Sequence, residues 1–308
     1  MCALSSLSGT KVLVTGASGF IGHPLCQRLQ QYQAEVFGVS RFQRESNRSM
    51  RWIQADVADL DEMQRIVTSV KPDLLFHLAA DSSASRSLEA VRSTLQGNLV
   101  STVNLLTLMT EVGGRVILAG SLEEPDEGEF SIASSPYAAS KWASTIYAQM
   151  FQQLYHLSIV KARIFMVYGA GQLNFKKLIP YVTMALLNGE APQLSSGQRL
   201  IDWIYVDDVV DGLIAAALSP QDGVFELGSG TLTSIAEIVQ RLNQMINPKI
   251  QPLFGALPDR PMEQVRVANI ADSMSKLNWQ PKVSLEEGLA RTVAWYAAYH
   301  RSNFPSCA

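Results

Sequence analysis

Cysteine is scarce in this sequence. Only three cysteines occur in 308 residues, Cys2, Cys26 and Cys307, and no two of them form a C-x-x-C pair. That number and spacing suit neither a zinc site nor a disulfide framework. We therefore expect no bound metal and a reducing compartment.

Charge and long apolar runs are also sparse. Charged residues make up 17% of the chain and its formal net charge is -3, without long blocks of one sign, which gives no electrostatic footprint for nucleic acid or an anionic membrane. No run of about 18 or more apolar residues occurs, and the first residues lack the basic segment, apolar stretch and cleavage site of a secretory signal. We expect a cytoplasmic protein with no nucleic-acid or membrane partner.

What the chain does have is apolar residues in a regular order. Hydrophobic residues make up 47% of the sequence, enough for a large buried core. Strand-like runs alternate with helical stretches of ten or more residues, which predicts repeated βαβ units. We expect an α/β fold with a Rossmann-type, doubly wound parallel sheet, whose first strands cover Lys11–Thr15 and residues 35–39, 74–78, 115–119 and 159–164.

The alternation breaks after Tyr168, where a smaller lobe is expected to begin. We assign residues 1–165 to a nucleotide-binding Rossmann domain and expect residues 200–225 to return to it. Residues 166–199 and 226–308 then form an interleaved C-terminal lobe that binds substrate. Further helices are predicted around 177–188, over 209–218 and over 234–246, with a strand at 225–227.

A glycine-rich turn follows the first strand. Residues 15–22 read T-G-A-S-G-F-I-G, with Gly16, Gly19 and Gly22 between a strand and a helix. Glycines at these positions permit a tight turn, a close approach of a pyrophosphate and close strand-to-helix packing. The context favours dinucleotide binding over an ordinary turn. The contacts expected with the cofactor here also include Ser18, Phe20 and Ile21.

The end of the second strand indicates which cofactor is bound. NAD sites normally place an acidic residue there for the ribose 2′-hydroxyl, whereas this chain has Ser40 and Arg41. A hydroxyl and a guanidinium suit a 2′-phosphate, so we expect NADP(H), with NAD as the alternative. Arg44 could assist. Asp56 is a candidate contact for the adenine amino group, or else a turn residue.

A tyrosine and a lysine four residues apart form the candidate reactive pair. Tyr137 and Lys141, in Y-A-A-S-K, share one face of a predicted helix, and a lysine ammonium there should lower the tyrosine pKa from roughly 10 toward the working pH. Ser121 follows a strand, at the carboxyl edge where such sheets bind ligands. The alternative is a coincidental surface pair.

Taken in order, these motifs resemble the extended short-chain dehydrogenase/reductase family, also called the NAD-dependent epimerase/dehydratase family. The resemblance covers nearly the whole chain. It is carried by T-G-A-S-G-F-I-G, H-L-A-A from His77, Asn98 in G-N-L, Ser121 in G-S, Y-x-x-x-K, R-I-F-M-V-Y-G from Arg163, and R-L-I-D-W-I-Y-V-D-D from Arg199.

The resemblance implies roles for several residues. Ser121, Tyr137 and Lys141 would be catalytic, with Lys141 also holding the nicotinamide ribose. Arg199 and Arg260, the latter in D-R-P-M-E, would hold the phosphates of a sugar nucleotide. Further contacts implied with the cofactor are Val57, Leu78, Ala79, Ala80 and Asn98, and with the sugar nucleotide Ser83, Glu123 and Asn174.

The residues after Ser121 bear on the reaction. The 4,6-dehydratases of the family carry Asp-Glu there, whereas this chain has Leu122 and Glu123, without the expected proton donor for elimination. Reductases of GDP-4-keto-6-deoxymannose have G-S-S-E-E and H-L-A-A-Q-S, closer to G-S-L-E-E and H-L-A-A-D-S here. We therefore expect an NADPH-dependent 4-ketoreductase, with a nucleotide-sugar 4-epimerase, a 4,6-dehydratase or a non-catalytic NADP-binding regulator as alternatives.

The chain departs from the family pattern at two places, and the resemblance also implies a homodimer. Met166 replaces the asparagine of R-x-F-N, and E-P-D-E-G from Glu124 replaces V-Y-G. In relatives the helix after Asn98 and the helix over 137–155 form a four-helix dimer contact, so a homodimer is expected. The apolar residues that could face this contact, or the core, are Leu105, Leu106, Trp142 and Ile146.

Overall fold

The structure is a computed structural model that describes residues 7–47, 50–83, 85–125 and 132–303. Cys2 and Cys307 lie outside the described residues, and Cys26 is a buried free thiol. The chain divides into two compact units. The first contains the described residues up to Ile164 with Val210–Glu226 and Asp272–Trp279, and the second contains Phe165–Val209, Leu227–Ala271 and the described residues from Gln280 onward.

Ten strands and ten α-helices are found in the described residues. The strands are β1 (Lys11–Thr15), β2 (Glu35–Ser40), β3 (Met50–Gln54), β4 (Leu74–His77), β5 (Arg115–Ser121), β6 (Ser158–Ile164), β7 (Met166–Tyr168), β8 (Leu200–Tyr205), β9 (Gly223–Leu227) and β10 (Leu232–Ser234). The helices are α1 (Gly22–Gln31), α2 (Leu60–Val70), α3 (Glu89–Thr94), α4 (Ser101–Val112), α5 (Pro136–Tyr155), α6 (Leu178–Leu187), α7 (Val206–Leu218), α8 (Ile235–Ile246), α9 (Ala271–Leu277) and α10 (Leu285–Asn303). A π-helical turn over Leu95–Val100 joins α3 to α4.

The first unit is built on a seven-stranded sheet with the order β3-β2-β1-β4-β5-β6-β9. The ladders from β3 through β6 are all parallel, and the strand order reverses between β1 and β4. Ligands of doubly wound sheets bind beyond the carboxyl ends of the strands at such a reversal. The Rossmann-type fold expected from the sequence is confirmed.

The core on one face of this sheet is covered by α2, α4 and α5. Leu13 and Phe37 from the sheet pack with Met63 of α2, Met109 of α4 and Phe151 of α5. Leu105 and Leu106 belong to this core and are 1% exposed. They are therefore not surface residues of α4, and of the two positions considered for them, the dimer contact and the core, they occupy the core.

The second unit contains a three-stranded sheet in which β8 pairs with β7 in parallel and with β10 in antiparallel. We expected residues 200–225 to return to the first domain, but residues 200–209 belong to the second unit because β8 pairs within this sheet. Conversely, Glu226 and Asp272–Trp279, which we expected in the C-terminal lobe, belong to the first unit. The fully buried Asp202 accepts hydrogen bonds from the backbone of Ser229, Gly230 and Ala268. These bonds compensate the desolvation of its carboxylate.

Element boundaries depart slightly from the predicted ones. Helix α1 begins at Gly22, the last glycine of the turn, and α7 begins at Val206 rather than Val209. Ser234 caps α8 through a hydrogen bond accepted from Glu237 N–H, as its residue type suggests. None of the helices in the described part of the chain has the length and apolar character needed to cross a membrane.

Candidate active site

At two positions of the glycine-rich turn after β1 there is no room for a side chain. Gly16 has φ +68°, and a Cβ there would lie 2.7 Å from the Ala79 nitrogen. A Cβ on Gly22 would lie 2.1 Å from the Gly16 carbonyl oxygen, and Gly19 N–H donates to that same oxygen at 2.9 Å. The turn thus brings the first turn of α1, whose N–H groups favour an anion, directly against the end of β1. Ser18 and Gly19 are exposed, and Phe20 and Ile21 are half-buried.

His77, at the end of β4, is a buried link between this turn and α4. Its Nδ1 lies 2.7 Å from Thr15 Oγ1 and its Nε2 lies 3.1 Å from Thr102 Oγ1. Burial, with the nearby Lys141 ammonium adding to it, lowers the pKa of His77 to about 3. The imidazole is therefore neutral and serves as a hydrogen-bonding spacer.

Asn98 fixes the segment that follows β4. Its Oδ1 accepts from Asp81 N–H at 2.7 Å, and its Nδ2 donates to the Asp81 carbonyl at 3.2 Å and to Ser140 Oγ at 2.8 Å. Asn98 lies in the π-helical turn, a distortion often found at functional sites. The segment from Leu78 to Asp81 is thereby tied to α5, with Leu78 and Ala79 half-buried and Ala80 exposed.

The residues expected to select the cofactor lie at the end of β2. Ser40 is buried and its Oγ accepts from Phe42 N–H, whereas Arg41 is exposed. The guanidinium of Arg44 lies over Trp52, 5.2 Å from the ring centroid. After β3, Asp56 uses its Oδ1 to accept from Ala58 N–H, so the turn role foreseen for it is present. The neighbouring Val57 is buried in the core.

The start of α5 positions the tyrosine and the lysine. Ser135 caps the helix by accepting from Ala138 N–H at 3.1 Å, and Pro136 occupies the first turn, where its missing N–H costs nothing. Tyr137 and Lys141 follow one turn apart on the same face. Lys141 is buried and donates from Nζ to the Ala119 carbonyl on β5 at 2.9 Å.

Ser121 meets Tyr137 at the end of β5. Its hydroxyl hydrogen bonds to the tyrosine side chain, an interaction that favours the phenolate. The Ser121 Oγ also accepts from Glu123 N–H at 3.2 Å. The structure therefore brings together the three residues that the sequence predicts to be catalytic.

The electrostatics of this trio differ from the expectation of a lowered tyrosine pKa. Burial raises the pKa of Tyr137 to about 12, and the carboxylates of Glu124 and Glu123 add to that effect. Burial also lowers the pKa of Lys141 to about 8. The phenol is consequently held in its protonated form, because desolvation outweighs the stabilising Ser121 hydrogen bond.

A buried carboxylate that sequence reasoning missed lies directly beside the trio. Glu124 accepts from Ser121 N–H at 2.7 Å and from Thr145 Oγ1 at 2.6 Å, and it forms an ion pair with Lys161. The signal in the sequence was Lys161, a cation in the middle of the apolar run that forms β6. A buried charge requires a partner, but nothing in the sequence says which of the neighbouring acids supplies it.

The remaining expected sugar contacts of the first unit lie close in sequence to these residues. Ser83 is exposed, and its Oγ accepts from Ser85 N–H. Leu122 is buried and Glu123 is half-buried. Of the segment E-P-D-E-G, residues 126–128 lie outside the described residues.

The other expected substrate contacts lie in the second unit. Arg199 forms an ion pair with Glu263 at 3.1 Å and donates to the Gln264 carbonyl, and Arg260 is exposed. Asn174 is also exposed and uses its Oδ1 to accept from Lys176 N–H. Met166, the departure noted above, is half-buried and pairs with Trp203 between β7 and β8.

Known proteins of similar sequence and structure share this architecture. Residues 12–228 match the model of the NAD dependent epimerase/dehydratase family. A dTDP-glucose 4,6-dehydratase of Haemophilus influenzae is 28% identical over 92% of this chain and 97% of its own length. A UDP-glucose 4-epimerase of Thermotoga maritima, solved with UDP-glucose, has a TM-score of 0.85 at 27% identity, covering 94% of this chain and 99% of that one.

A solved structure that contains a cofactor gives a similar match. MoeE5, solved in complex with UDP-glucose and NAD, has a TM-score of 0.83 at 27% identity over 94% of this chain and 99% of its own. The family match spans more than half of the chain and includes the glycine-rich turn and the Ser121, Tyr137 and Lys141 trio. On this evidence the chain is an enzyme of the NAD-dependent epimerase/dehydratase family.

Proposed function

We propose that this protein is an NADPH-dependent reductase that converts a nucleotide-linked 4-keto-6-deoxy sugar to the 4-hydroxy sugar. The observation that carries the proposal is the contact between the hydroxyls of Ser121 and Tyr137 at the carboxyl end of β5, with Lys141 one helical turn further on. A protonated phenol beside a serine hydroxyl can donate both a hydrogen bond and a proton to a carbonyl oxygen.

The geometry of the glycine-rich turn fits a dinucleotide. Gly16 and Gly22 are packed so closely that side chains are excluded, which leaves the backbone at the start of α1 open to a pyrophosphate. Arg41, exposed at the end of β2, would bind the 2′-phosphate that distinguishes NADP from NAD. Similar proteins have been solved with NAD or NADH, so NAD is the alternative cofactor.

A reduction assigns a distinct role to each of the three residues. The nicotinamide, when bound, supplies the hydride to the sugar C4. Ser121 polarises the carbonyl by donating a hydrogen bond to its oxygen, and Tyr137 transfers its phenolic proton to that oxygen. Lys141 stabilises the resulting phenolate, and solvent then restores the proton, so one ketone consumes one hydride and one proton. The high pKa of Tyr137 suits a residue that begins the step protonated.

The residue after Ser121 argues against a dehydratase. Leu122 is 5% exposed and apolar, so it cannot donate the proton that elimination of water requires. Glu123 remains as a half-buried carboxylate, and together with Ser83 it is proposed to orient sugar hydroxyls.

The second unit is proposed to supply the contacts to the nucleotide. Arg199 and Arg260 carry guanidinium groups whose paired donors match diphosphate oxygens. Because Arg199 is bound to Glu263 in the structure, a diphosphate would compete with that carboxylate. Asn174 is proposed as a further polar contact with the substrate.

Helix α5 presents exposed apolar side chains that support a homodimer. Ile146 is 53% exposed and Leu154 is 64% exposed, whereas Trp142 on the same helix is half-buried. We propose that a second copy of the chain covers this face, and that the dimer works in the cytoplasm. Light scattering at micromolar concentration should give twice the monomer mass. A strictly monomeric mass would contradict the homodimer.

A 4-epimerase is the second candidate because similar proteins carry that name. An epimerase re-uses its cofactor, whereas a reductase consumes it. The purified protein should be mixed with NADPH or NADH and a panel of GDP-, dTDP-, CDP- and UDP-4-keto-6-deoxyhexoses while the absorbance of the reduced nicotinamide is followed. Oxidation of NADPH supports the reductase. Interconversion of ordinary sugar nucleotides with NAD, without oxidation, supports the epimerase.

A non-catalytic NADP-binding regulator is the remaining alternative. Turnover of any substrate that is abolished by Tyr137→Phe excludes it, because a regulator needs no proton donor. Binding of NADPH without turnover of any sugar on the panel would favour it.

A further inference from the structure

The ion pair between Glu124 and Lys161 is buried to an unusual degree. The side chain of Glu124 is 1% exposed and that of Lys161 is 4% exposed. Glu124 follows the end of β5 and Lys161 lies in the middle of β6, so two neighbouring strands each contribute one charge. The mechanism derived above uses neither residue.

The Glu124 carboxylate joins three structural elements at the catalytic site. One oxygen accepts from the backbone N–H of Ser121 at 2.7 Å, and the other accepts from Thr145 Oγ1 at 2.6 Å and from Lys161 Nζ. Thr145 lies one turn beyond Lys141 on α5, and its hydroxyl also hydrogen bonds to the Lys141 carbonyl at 3.1 Å. The carboxylate therefore connects the serine, the helix that carries the tyrosine and lysine, and β6.

Gly120 provides the space for this arrangement. A Cβ at this position would lie 2.5 Å from Lys161 Cε and 2.9 Å from Glu124 Oε1. Gly120, immediately before Ser121, therefore leaves room for the charged pair, which packs against the Gly120 backbone.

Fold stability alone does not account for such a pair. Desolvation of two buried charges offsets much of their attraction, and apolar residues of similar size often serve stability equally well. A fully hydrogen-bonded buried network does, however, hold its members in one arrangement.

We propose that Glu124, held by Lys161, is a positioning residue that sets the location of Ser121 relative to Tyr137 and Lys141. The inference rests on the proposed function, because it assigns the pair a role in the same proton-transfer site. Glu124 acts through its contacts with Ser121 and Thr145 and does not itself touch the substrate.

The charges of the pair also act on Lys141. Glu124 raises the pKa of Lys141 and Lys161 lowers it, with the effect of Glu124 the larger. Removal of the Glu124 charge should therefore lower the pKa of Lys141 below about 8. The titratable groups that act on Lys141 or on its neighbour Tyr137 are Glu124 after β5, Lys161 on β6 and the neutral His77 on β4 around Lys141, and Glu123 and Glu124 around Tyr137.

Two double variants separate positioning from simple stability. Glu124→Gln/Lys161→Met removes both charges but keeps a side chain that can bond Ser121 N–H, whereas Glu124→Val/Lys161→Ile also removes that bond. In the Val/Ile variant we expect kcat to fall about tenfold or more with KM changed less than about threefold, because misplacement of a reacting group is costly. The Gln/Met variant should recover most of kcat. A folded Val/Ile variant with the kcat of the unaltered enzyme would overturn the proposal.

The matched control removes another ion pair of the same unit. Arg163 and Glu226 are 2.8 Å apart, with side chains 20% and 17% exposed, and Arg163 lies on β6 two residues after Lys161. The variant Arg163→Met/Glu226→Gln should lower stability with kcat unchanged. An equal loss of kcat in this control and in the Val/Ile variant would show that the loss of any ion pair of this unit lowers kcat, which would contradict a specific role for Glu124.

A measurement that needs no substrate keeps the inference separable from the proposed function. Lysines labelled with ¹³C at Cε are titrated by NMR, and the Lys141 signal is assigned with Lys141→Met. The Lys141 pKa should fall in Glu124→Gln and, to a lesser extent, in the Gln/Met variant, and should be unchanged in the control. An unchanged pKa in both would overturn the inference. If the enzyme reduces no sugar on the panel but this pKa falls, the proposed function fails while the action of Glu124 on Lys141 stands.

Discussion

The side-chain amide of Asn98 hydrogen bonds to both the N–H and the carbonyl of Asp81. Its oxygen accepts from the Asp81 N–H at 2.7 Å, and its nitrogen donates to the Asp81 carbonyl at 3.2 Å and to Ser140 Oγ at 2.8 Å. One residue in a π-helical turn thus connects the segment after β4 with the helix that carries Tyr137 and Lys141. Two parts of the candidate active site depend on it.

Replacement of Asn98 by Asp tests this connection, because the new side chain has the same shape without the amide donor. We expect the free energy of unfolding to fall by about 1–3 kcal/mol, the cost of leaving buried partners unsatisfied, and the Kd for NADPH to rise. Urea unfolding and fluorescence titration measure the two effects. Asn243→Asp, which removes a similar donor to the Ile250 carbonyl in the second unit, should lower stability without changing the NADPH affinity. An unchanged NADPH affinity in Asn98→Asp would contradict the role given to Asn98.

The sequence predicts the parts of this site that are formed by residues close together in the chain. The glycine turn and the Tyr137 and Lys141 pair are local patterns, and periodicity placed them on the correct elements. The buried ion pair beside Ser121 could not be predicted, because its members, Glu124 and Lys161, are 37 residues apart and meet only when β5 and β6 pair. The predicted direction of the shift in the Tyr137 pKa was wrong. Burial outweighs the expected stabilisation of the phenolate, and the spacing of Tyr137 and Lys141 does not reveal burial.

Tyr137→Phe removes the proposed proton donor while keeping the ring. We expect kcat for sugar reduction to fall roughly 10²–10⁴-fold, the range typical of a lost general acid, with NADPH still bound. Steady-state kinetics and NADPH titration measure both quantities. Tyr32→Phe at the end of α1 is the matched control and should change neither. A Tyr137→Phe enzyme with more than a tenth of the original kcat would exclude Tyr137 as the proton donor.

Arg41 is expected to discriminate between the two nicotinamide cofactors. Its replacement by Asp removes the guanidinium and introduces the acidic residue typical of NAD sites. The Kd for NADPH should rise roughly tenfold or more, the cost of losing a charge-assisted hydrogen bond, while that for NADH should fall. Calorimetric titration of both cofactors measures the switch, with Arg65→Ala on the exposed side of α2 as the control. Equal affinities for NADPH before and after the substitution would remove the basis for NADP preference.

The pKa of Lys141 predicts the alkaline limit of the reaction. Below about pH 8 the buried amine is charged and can stabilise the phenolate, and above it the charge is lost, so kcat/KM for reduction should decline as pH rises through about 8. A profile from pH 6 to 10 measures this. Lys141→Arg, whose guanidinium stays charged over that range, should keep a lower but level rate. The same decline in Lys141→Arg would assign it to another group.

His77 makes the fold sensitive to acid. Its folded-state pKa of about 3 lies below the unfolded value of 6.5, so the unfolded chain binds the extra proton between these limits and stability is lost as pH falls through them. In that window His77 alone should account for about 1.4 kcal/mol of unfolding free energy per pH unit. Urea unfolding at several pH values should show this slope reduced in His77→Asn and retained in His156→Asn, which alters an exposed histidine. Identical slopes in the two variants would refute the assignment.

In the proposed reaction a hydride passes from NADPH to C4 of a nucleotide-linked 4-keto sugar. The most direct test uses NADPH deuterated at the transferable position together with the 4-keto-6-deoxyhexose panel, and NMR to locate deuterium in the product. We expect one deuterium at C4 for each NADPH consumed, and deuterium should enter the product roughly 10²–10⁴-fold more slowly with Tyr137→Phe. Sugar turnover with no deuterium at C4 and no loss of NADPH would contradict it and identify an enzyme that returns its hydride to the sugar.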